Sequence, residues 1–266
     1  MSFYQFCFLS LFALFGLLAC EKVIDVPLNE AAQTVVVEAV LKDGLGNNYV
    51  RISKTGTVYS EGDFETIADA VITITDSEGN VFLFPHVEDG YYSLPTFEVI
   101  PGRGYDLEVL TFDRTITASC QAKSKPSIDS LTYIPLSGVF GVPASDTVYL
   151  VSFHSVDNVA ERNFYWVKIF RNGNENSGFY LGNDDFINGQ YYEAQFFGSE
   201  ADPGDSVLVE MISCDEANYN YLIGLSNNIN SSPFSAAPAN PPSNLVGDAV
   251  GFFGVYTTDT LSILIP

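Results

Sequence analysis

The sequence predicts a mainly β protein made of two β-sandwich modules, the second carrying one short helix. Two observations carry that expectation. Aromatic and β-branched residues recur in short alternating runs, and Gly, Pro, Asn and Asp interrupt those runs at the close spacing typical of sandwiches. A third observation sets the N-terminus apart. An apolar run over residues 3–19 stops at Cys20, and charge begins at once with Glu21 and Lys22.

That apolar run is broken only by Tyr4, Gln5 and Ser10. It falls short of the roughly 20 apolar residues a membrane span needs, and it suits a signal-peptide core. Leu17-Leu18-Ala19-Cys20 matches the lipobox read by the bacterial lipoprotein peptidase. The expected chemistry is diacylglycerol on the Cys20 thiol, cleavage before Cys20 and acylation of the new amino terminus. Each buried methylene contributes about 0.8 kcal/mol and one acyl chain binds only marginally, so more than one is needed for a lasting anchor. No Lys or Arg precedes Lys22, a departure from the usual positive start of a signal peptide. Residues 1–19 are therefore read as a lipoprotein signal peptide and 20–32 as a lipidated tether.

All charged residues follow residue 19, and 11 basic against 33 acidic side chains give a formal charge of −22. Such a surface excludes nucleic-acid phosphate as a partner and docking on anionic lipid through a basic patch. Cys7 leaves with the signal and Cys20 takes the lipid, so Cys120 and Cys214 remain. An exported protein permits a disulfide between them, but sequence alone cannot place them close enough to bridge, and two buried free thiols are the expected state.

The first module is expected over residues 33–122. "TVVVEAVL" (34–41) and "YVRISK" (49–54) read as strands joined by "KDGLGNN", with Val50 and Ile52 alternating against Arg51 and Ser53. "AVITITD" (70–76) alternates as cleanly, and "DSEGN" turns it into "VFLFP". "DGYYSL", "PGRG", "YDLEVL" and "RTITASC" complete the series. The loop "TGTVYSEGDFETIA" (55–68) is long for a sandwich connection and carries Tyr59 and Phe64, which makes it a candidate contact loop.

Residues 123–127, with Lys123, Lys125 and Pro126, read as a linker into a second β-rich module over 128–266. Its strands are expected in 146–156, 162–172, 189–198 and 205–213. Ser213 and Glu216 have the spacing of a capping box, so a helix is expected near 214–227. Four prolines between Pro233 and Pro242 preclude a central strand there, and "AVGFFGVY" (249–256) is expected to pair back into a sheet.

"DAVITITDSEGN", "DGYY" and "PGRGYDLEV", carried by residues 69–80, 89–92 and 101–109, resemble the transthyretin-like or carboxypeptidase-regulatory sandwich, an Ig-like architecture. Nearly the whole chain after residue 19 resembles domain-of-unknown-function family 4249, lipoproteins of Bacteroidota-type bacteria. The matching pieces are "CEKVID", "VVVEAVL", "PSIDSLTY", "GDSVLVEMISCDEANYNYL" and "PFSAAPANPPSNLVGDAVGFFGVY". This resemblance implies an outer-membrane lipoprotein facing the cell exterior, often encoded beside a TonB-dependent receptor. It implies no activity and no site residues.

Local chemistry is sparse. His86 and His154 have no HExxH, His-x-His or CxxC spacing around them, which reads as ordinary surface or core-edge histidine. "GNDDFINGQ" (182–190) offers Asn183, Asp184, Asp185 and Asn188, oxygens that suit calcium, although Ile187 breaks the EF-hand register and a simple turn has the same composition. No G-x-S-x-G elbow is present. The aromatic runs "NFYW" and "QYYEAQFF" place alternate rings on opposite faces; most are expected to fill the core or cover sheet faces, and an exposed set would suit contact with sugar, peptide or protein. The expected function is a non-catalytic binding or accessory lipoprotein, with a glycan, a peptide or an outer-membrane receptor as partner. A structural or adhesive surface protein is the alternative, and a hydrolase on glycan or peptide is less favoured.

Overall fold

The computed structural model describes residues 32–46, 48–56, 64–138, 141–176, 178–230 and 239–266. Cys20, the tether up to residue 31 and Tyr59 lie outside these residues. Among the described residues the architecture is mainly β, as expected, with antiparallel sheets and one helix.

One face of the first sandwich is built from β1 (Val35–Lys42), β2 (Tyr49–Lys54), β5 (His86–Glu88) and β6 (Tyr91–Tyr92). The other holds β3 (Val71–Asp76), β4 (Val81–Phe84), β7 (Gly104–Leu110) and β8 (Thr115–Gln121), in the order β4-β3-β7-β8. β7 and β8 alternate buried and exposed positions along their whole lengths, so each sends one row of side chains inward. Ile72, Ile74, Leu107, Val109 and Ile116 meet Val37, Leu41, Val50 and Ile52 in one core. Phe97 is buried there although it lies in no strand, its ring packed edge-on against Phe82, Phe84 and Tyr105. The long loop after β2 is tied down at its far end. The Tyr92 hydroxyl donates to the Ile67 carbonyl and accepts from the Ala70 amide, both at 2.9 Å.

The second sandwich sets β9 (Ser130–Leu136), β10 (Val148–Val156) and β14 (Tyr191–Gln195) against β11 (Phe164–Arg171), β12 (Asn174–Glu175), β13 (Tyr180–Asn183) and β15 (Ser206–Cys214). Phe153, Tyr165, Val167, Ile169, Val209 and Met211 form its core.

One strand crosses the boundary expected at 127/128. Strand β16 (Ala249–Leu264) is 16 residues long and belongs to both sandwiches. Its first half pairs parallel with β1, from Val35↔Ala249 to Lys42↔Tyr256, and its second half antiparallel with β15, from Ser213↔Thr257 to Ser206↔Leu264. One continuous sheet therefore runs β12-β11-β15-β16-β1-β2-β6-β5 through the molecule. Burial along β16 records this dual role. Residues 252–258 are buried without a break, because Phe253 and Val255 enter the first core while Phe252 and Tyr256 are covered on the opposite face. Past residue 258 the strand alternates between half-buried and exposed.

The cover is α1 (Glu216–Ile229). Its cap is Asp215, whose Oδ1 accepts from the Asn218 amide at 2.8 Å, and not Ser213 of the expected capping box. Ser213 is still paired with Thr257 inside β15 and cannot take up the cap's position. Residues 239–242 lie extended on the helix: Asn228 Nδ2 donates to the Ala239 carbonyl at 2.7 Å, and a Cβ at Gly224 would come within 3.0 Å of Pro241.

Residues 123–127, read as a linker, are pinned to the second sandwich. Lys123 pairs with Glu161, the Ser124 amide donates to Glu161, and the Ser155 hydroxyl donates to the Ser127 carbonyl. Cys120 and Cys214 are buried free thiols, so the alternative of a bridge is not realised. They point at different acceptors: Cys120 Sγ donates to Asp215 Oδ2 at 3.2 Å and Cys214 Sγ to the Phe164 carbonyl at 3.7 Å. Burial pushes both thiols up, which keeps them protonated and unreactive. Among the described residues no helix is long and apolar enough to cross a membrane.

Candidate functional site

The two aromatic runs of the sequence converge in the second sandwich. Tyr165 from the first run and Tyr192 and Phe196 from the second line a groove of about 330 Å³ together with Phe153, Tyr180 and Ile187. Strand alternation selects these rings. Tyr165 points inward while Phe164 and Trp166 point to the far face, and Tyr192 points inward while Tyr191 is exposed. Phe153 stacks on Phe196 at 5.6 Å and meets Tyr192 edge-on at 5.7 Å, and Tyr180 meets Phe196 edge-on at 5.0 Å. Burial pushes the Tyr192 phenol up to about 12.

A loop at one end of the groove is held by two buried carboxylates. Asp157 accepts from the Tyr165 hydroxyl at 2.7 Å and from the Gly189 amide at 3.0 Å. Asp184 Oδ2 accepts from the Asn163 amide at 2.9 Å, and its carbonyl accepts from the amides of Ile187 and Asn188. Asn183 Oδ1 accepts from the Asp185 amide, and Asp185 pairs with Arg162 at 3.0 Å. Three of the oxygens that the calcium expectation relies on, Asn183 Oδ1, Asp184 Oδ2 and Asp185 Oδ1, thus have protein partners. Among the described residues no group of three or more His, Cys, Asp or Glu side chains is placed to hold a metal. The loop leaves Phe186 almost fully exposed at its tip.

Tyr165 supplies a test of this frame. Burial, reinforced by the hydrogen-bonded Asp157 carboxylate, pushes its phenol far above the ordinary value. A raised folded-state value means stability that is complete below about pH 10, the unfolded value, and is lost as pH climbs beyond it. Tyr165→Phe leaves one buried Asp157 oxygen without its donor, at an expected cost of about 1–3 kcal/mol at neutral pH. Urea melts between pH 7 and 11 should show that loss, together with a shallower alkaline decline in the variant. Equal stability at pH 7 would show that the contact contributes nothing.

The other candidates lie elsewhere. Phe64 is half exposed on the first sandwich, next to Glu65 and Thr66, which run beside β2. It does not line the aromatic groove. His86 packs against the Tyr92 ring, and His154 sits on the outer face of β10 between the Thr132 and Tyr191 hydroxyls at 2.7 and 2.6 Å. Sequence reasoning missed β13 altogether. "SGFYLGN" reads as a glycine-bounded loop, and only its pairing with β11, Tyr165↔Gly182 and Val167↔Tyr180, makes it one wall of the groove.

The family model for a domain of unknown function, DUF4249, matches residues 21–262. The chain belongs to this family. That description assigns no activity, so the site rests on its geometry. No curated protein matches the chain. Among solved structures, the crystal structure of chicken CNTN1 FN1-FN3 domains is similar at 11% identity and a TM-score of 0.24, covering 89% of this chain and 67% of that one. A likeness that slight carries no argument, and the fold rests on the strand pairing itself.

Proposed function

We propose that this protein is a lipid-anchored lipoprotein on the outer face of the outer membrane that binds a ligand or partner and does not transform it. It serves as an accessory subunit to a TonB-dependent receptor. The first sandwich is read as transthyretin-like and acts as a spacer between anchor and site. The observation that carries this reading is the open aromatic groove of the second sandwich, rimmed by a loop that two buried carboxylates hold in place. Rings with fixed orientations lose little entropy on contact, which suits recognition.

A structural or adhesive role is the second reading. It draws on Val71, Val81, Leu83 and Leu110, exposed on the outer face of the β4-β3-β7-β8 sheet. One experiment separates the two. A photocrosslinking amino acid placed at Phe186, beside the groove, should capture an outer-membrane β-barrel protein in intact cells, while the same group at Val81 should not. Capture at Val81 alone would favour adhesion, and no adduct at either position would sink the accessory role.

A further inference from the structure

The second sandwich is open on the side of the groove. Among the described residues β13 pairs only with β11, and β14 only with β10. Both strands line the groove, so two unpaired strand edges border one apolar space. Proteins usually blunt such edges with Lys, Pro or covering loops, because an open edge templates pairing with another chain. β14, Tyr-Tyr-Glu-Ala-Gln, has neither Lys nor Pro. The space below it is also kept free. Gly182 faces inward, in register with Tyr165, and a Cβ there would meet nothing within 4 Å. Its φ is not positive, so backbone geometry does not require glycine at this position.

We infer that an extended peptide segment of a partner protein adds as a strand to the free edge of β14 and seats an apolar side chain in the space over Gly182. This rests on the binding reading above and names the class of its ligand. Main-chain hydrogen bonds along β14 supply affinity, and the groove selects alternate side chains. A glycan fits less well, because sugars stack on exposed ring faces. Phe153 and Phe196 are buried against each other, and Tyr192 and Tyr180 meet them edge-on. The chain's charge of −22, with Asp185 and Glu193 near the groove, selects basic over acidic flanks on the incoming strand.

The test selects a random-sequence peptide library displayed on phage against the full-length protein in detergent, alongside an oligosaccharide array. Enriched peptides should alternate apolar and polar positions and lack acidic flanks. A synthetic copy should lose affinity about tenfold or more against Gly182→Trp, which fills the space, and by a smaller factor against Gly182→Leu. N-methylation of alternate peptide amides should weaken binding to the wild-type protein by a similar factor, a readout independent of how the variants fold. The inference is overturned if no peptide is enriched, if neither Gly182 variant weakens binding, if N-methylation has no effect, or if oligosaccharides bind and peptides do not. Receptor crosslinking from position 186 without peptide enrichment would overturn the strand-addition inference and leave the accessory role standing. Peptide binding without any receptor adduct would do the reverse.

Discussion

Gly251→Ala is expected to destabilise the protein by about 4 kcal/mol, at the upper end of what single substitutions do. Gly251 has φ +113°, and an added Cβ would lie 2.1 Å from the Val37 carbonyl oxygen and 2.9 Å from its carbon. Both contacts are backbone, and Val37 is the register partner of Gly251 in the parallel β1–β16 pair. Neither strand has room to yield, since Val37, Phe253 and Val255 are all fully buried in the first core. Left-handed backbone alone costs roughly 1–2 kcal/mol for a residue with a Cβ. Gly46→Ala isolates that term, because Gly46 has φ +84° and nothing within 4 Å of an added Cβ. Equal losses in the two variants would show that the close approach does not matter. The single tryptophan adds a second readout. Trp166 lies in the second sandwich near Tyr256 of β16. Its fluorescence transition should move with the circular-dichroism transition in Gly251→Ala, because β16 couples the two sandwiches. A Trp166 transition that stays at its wild-type position would mean that they unfold independently.

Most of the first sandwich was legible because its information is local. Residues 71–76 and 104–110 alternate in sequence as they do in burial, 49–52 do so until Ser53, which is buried beside Ile52 against the expected pattern, and the turns contain the expected Gly, Asn and Asp. What could not be read is which distant strands pair. Nothing in "AVGFFGVY" distinguishes a parallel partner at residue 35 from a neighbour in its own module, and the long-range register of β16 makes one sheet out of two expected modules. The helix start was displaced by two residues for a similar reason. Ser213 has the composition of a cap, but its pairing with Thr257 holds it in the strand, and Asp215 takes the position.

The candidate site was half legible. Alternation correctly implied that one ring of each aromatic pair faces inward, so Tyr165 and Tyr192 follow from sequence once the strands are placed. Gly182 and β13 do not follow. A glycine that keeps a space empty looks in sequence like a glycine that makes a turn, and only the open surroundings of its missing Cβ separate the two. The acidic loop is ambiguous in sequence for a related reason. Asp184 and Asn183 are the residue types of a cation site, yet their oxygens serve the amides of Asn163 and Asp185.

Cys20→Ser is expected to remove the protein from the outer membrane almost completely, without lowering the melting temperature of the purified chain. The two halves of that expectation have separate causes. In the proposed reading anchoring rests on the lipid, because acyl chains contribute about 0.8 kcal/mol per buried methylene and need to be paired to hold for long. Every Lys and Arg lies beyond residue 19 and is outnumbered threefold by carboxylates, 11 against 33, so an anionic lipid surface repels the protein. No helix among the described residues is long and apolar enough to cross a bilayer. Folding, by contrast, rests on a core whose first strand begins at Val35, well past residue 20. Fractionation should therefore find the serine variant in the soluble fraction or held back as uncleaved precursor, with mass spectrometry showing no acyl chain at residue 20. Wild-type amounts in the outer-membrane fraction would show that something other than the lipid holds the protein there, and the lipobox reading of residues 17–20 would fall.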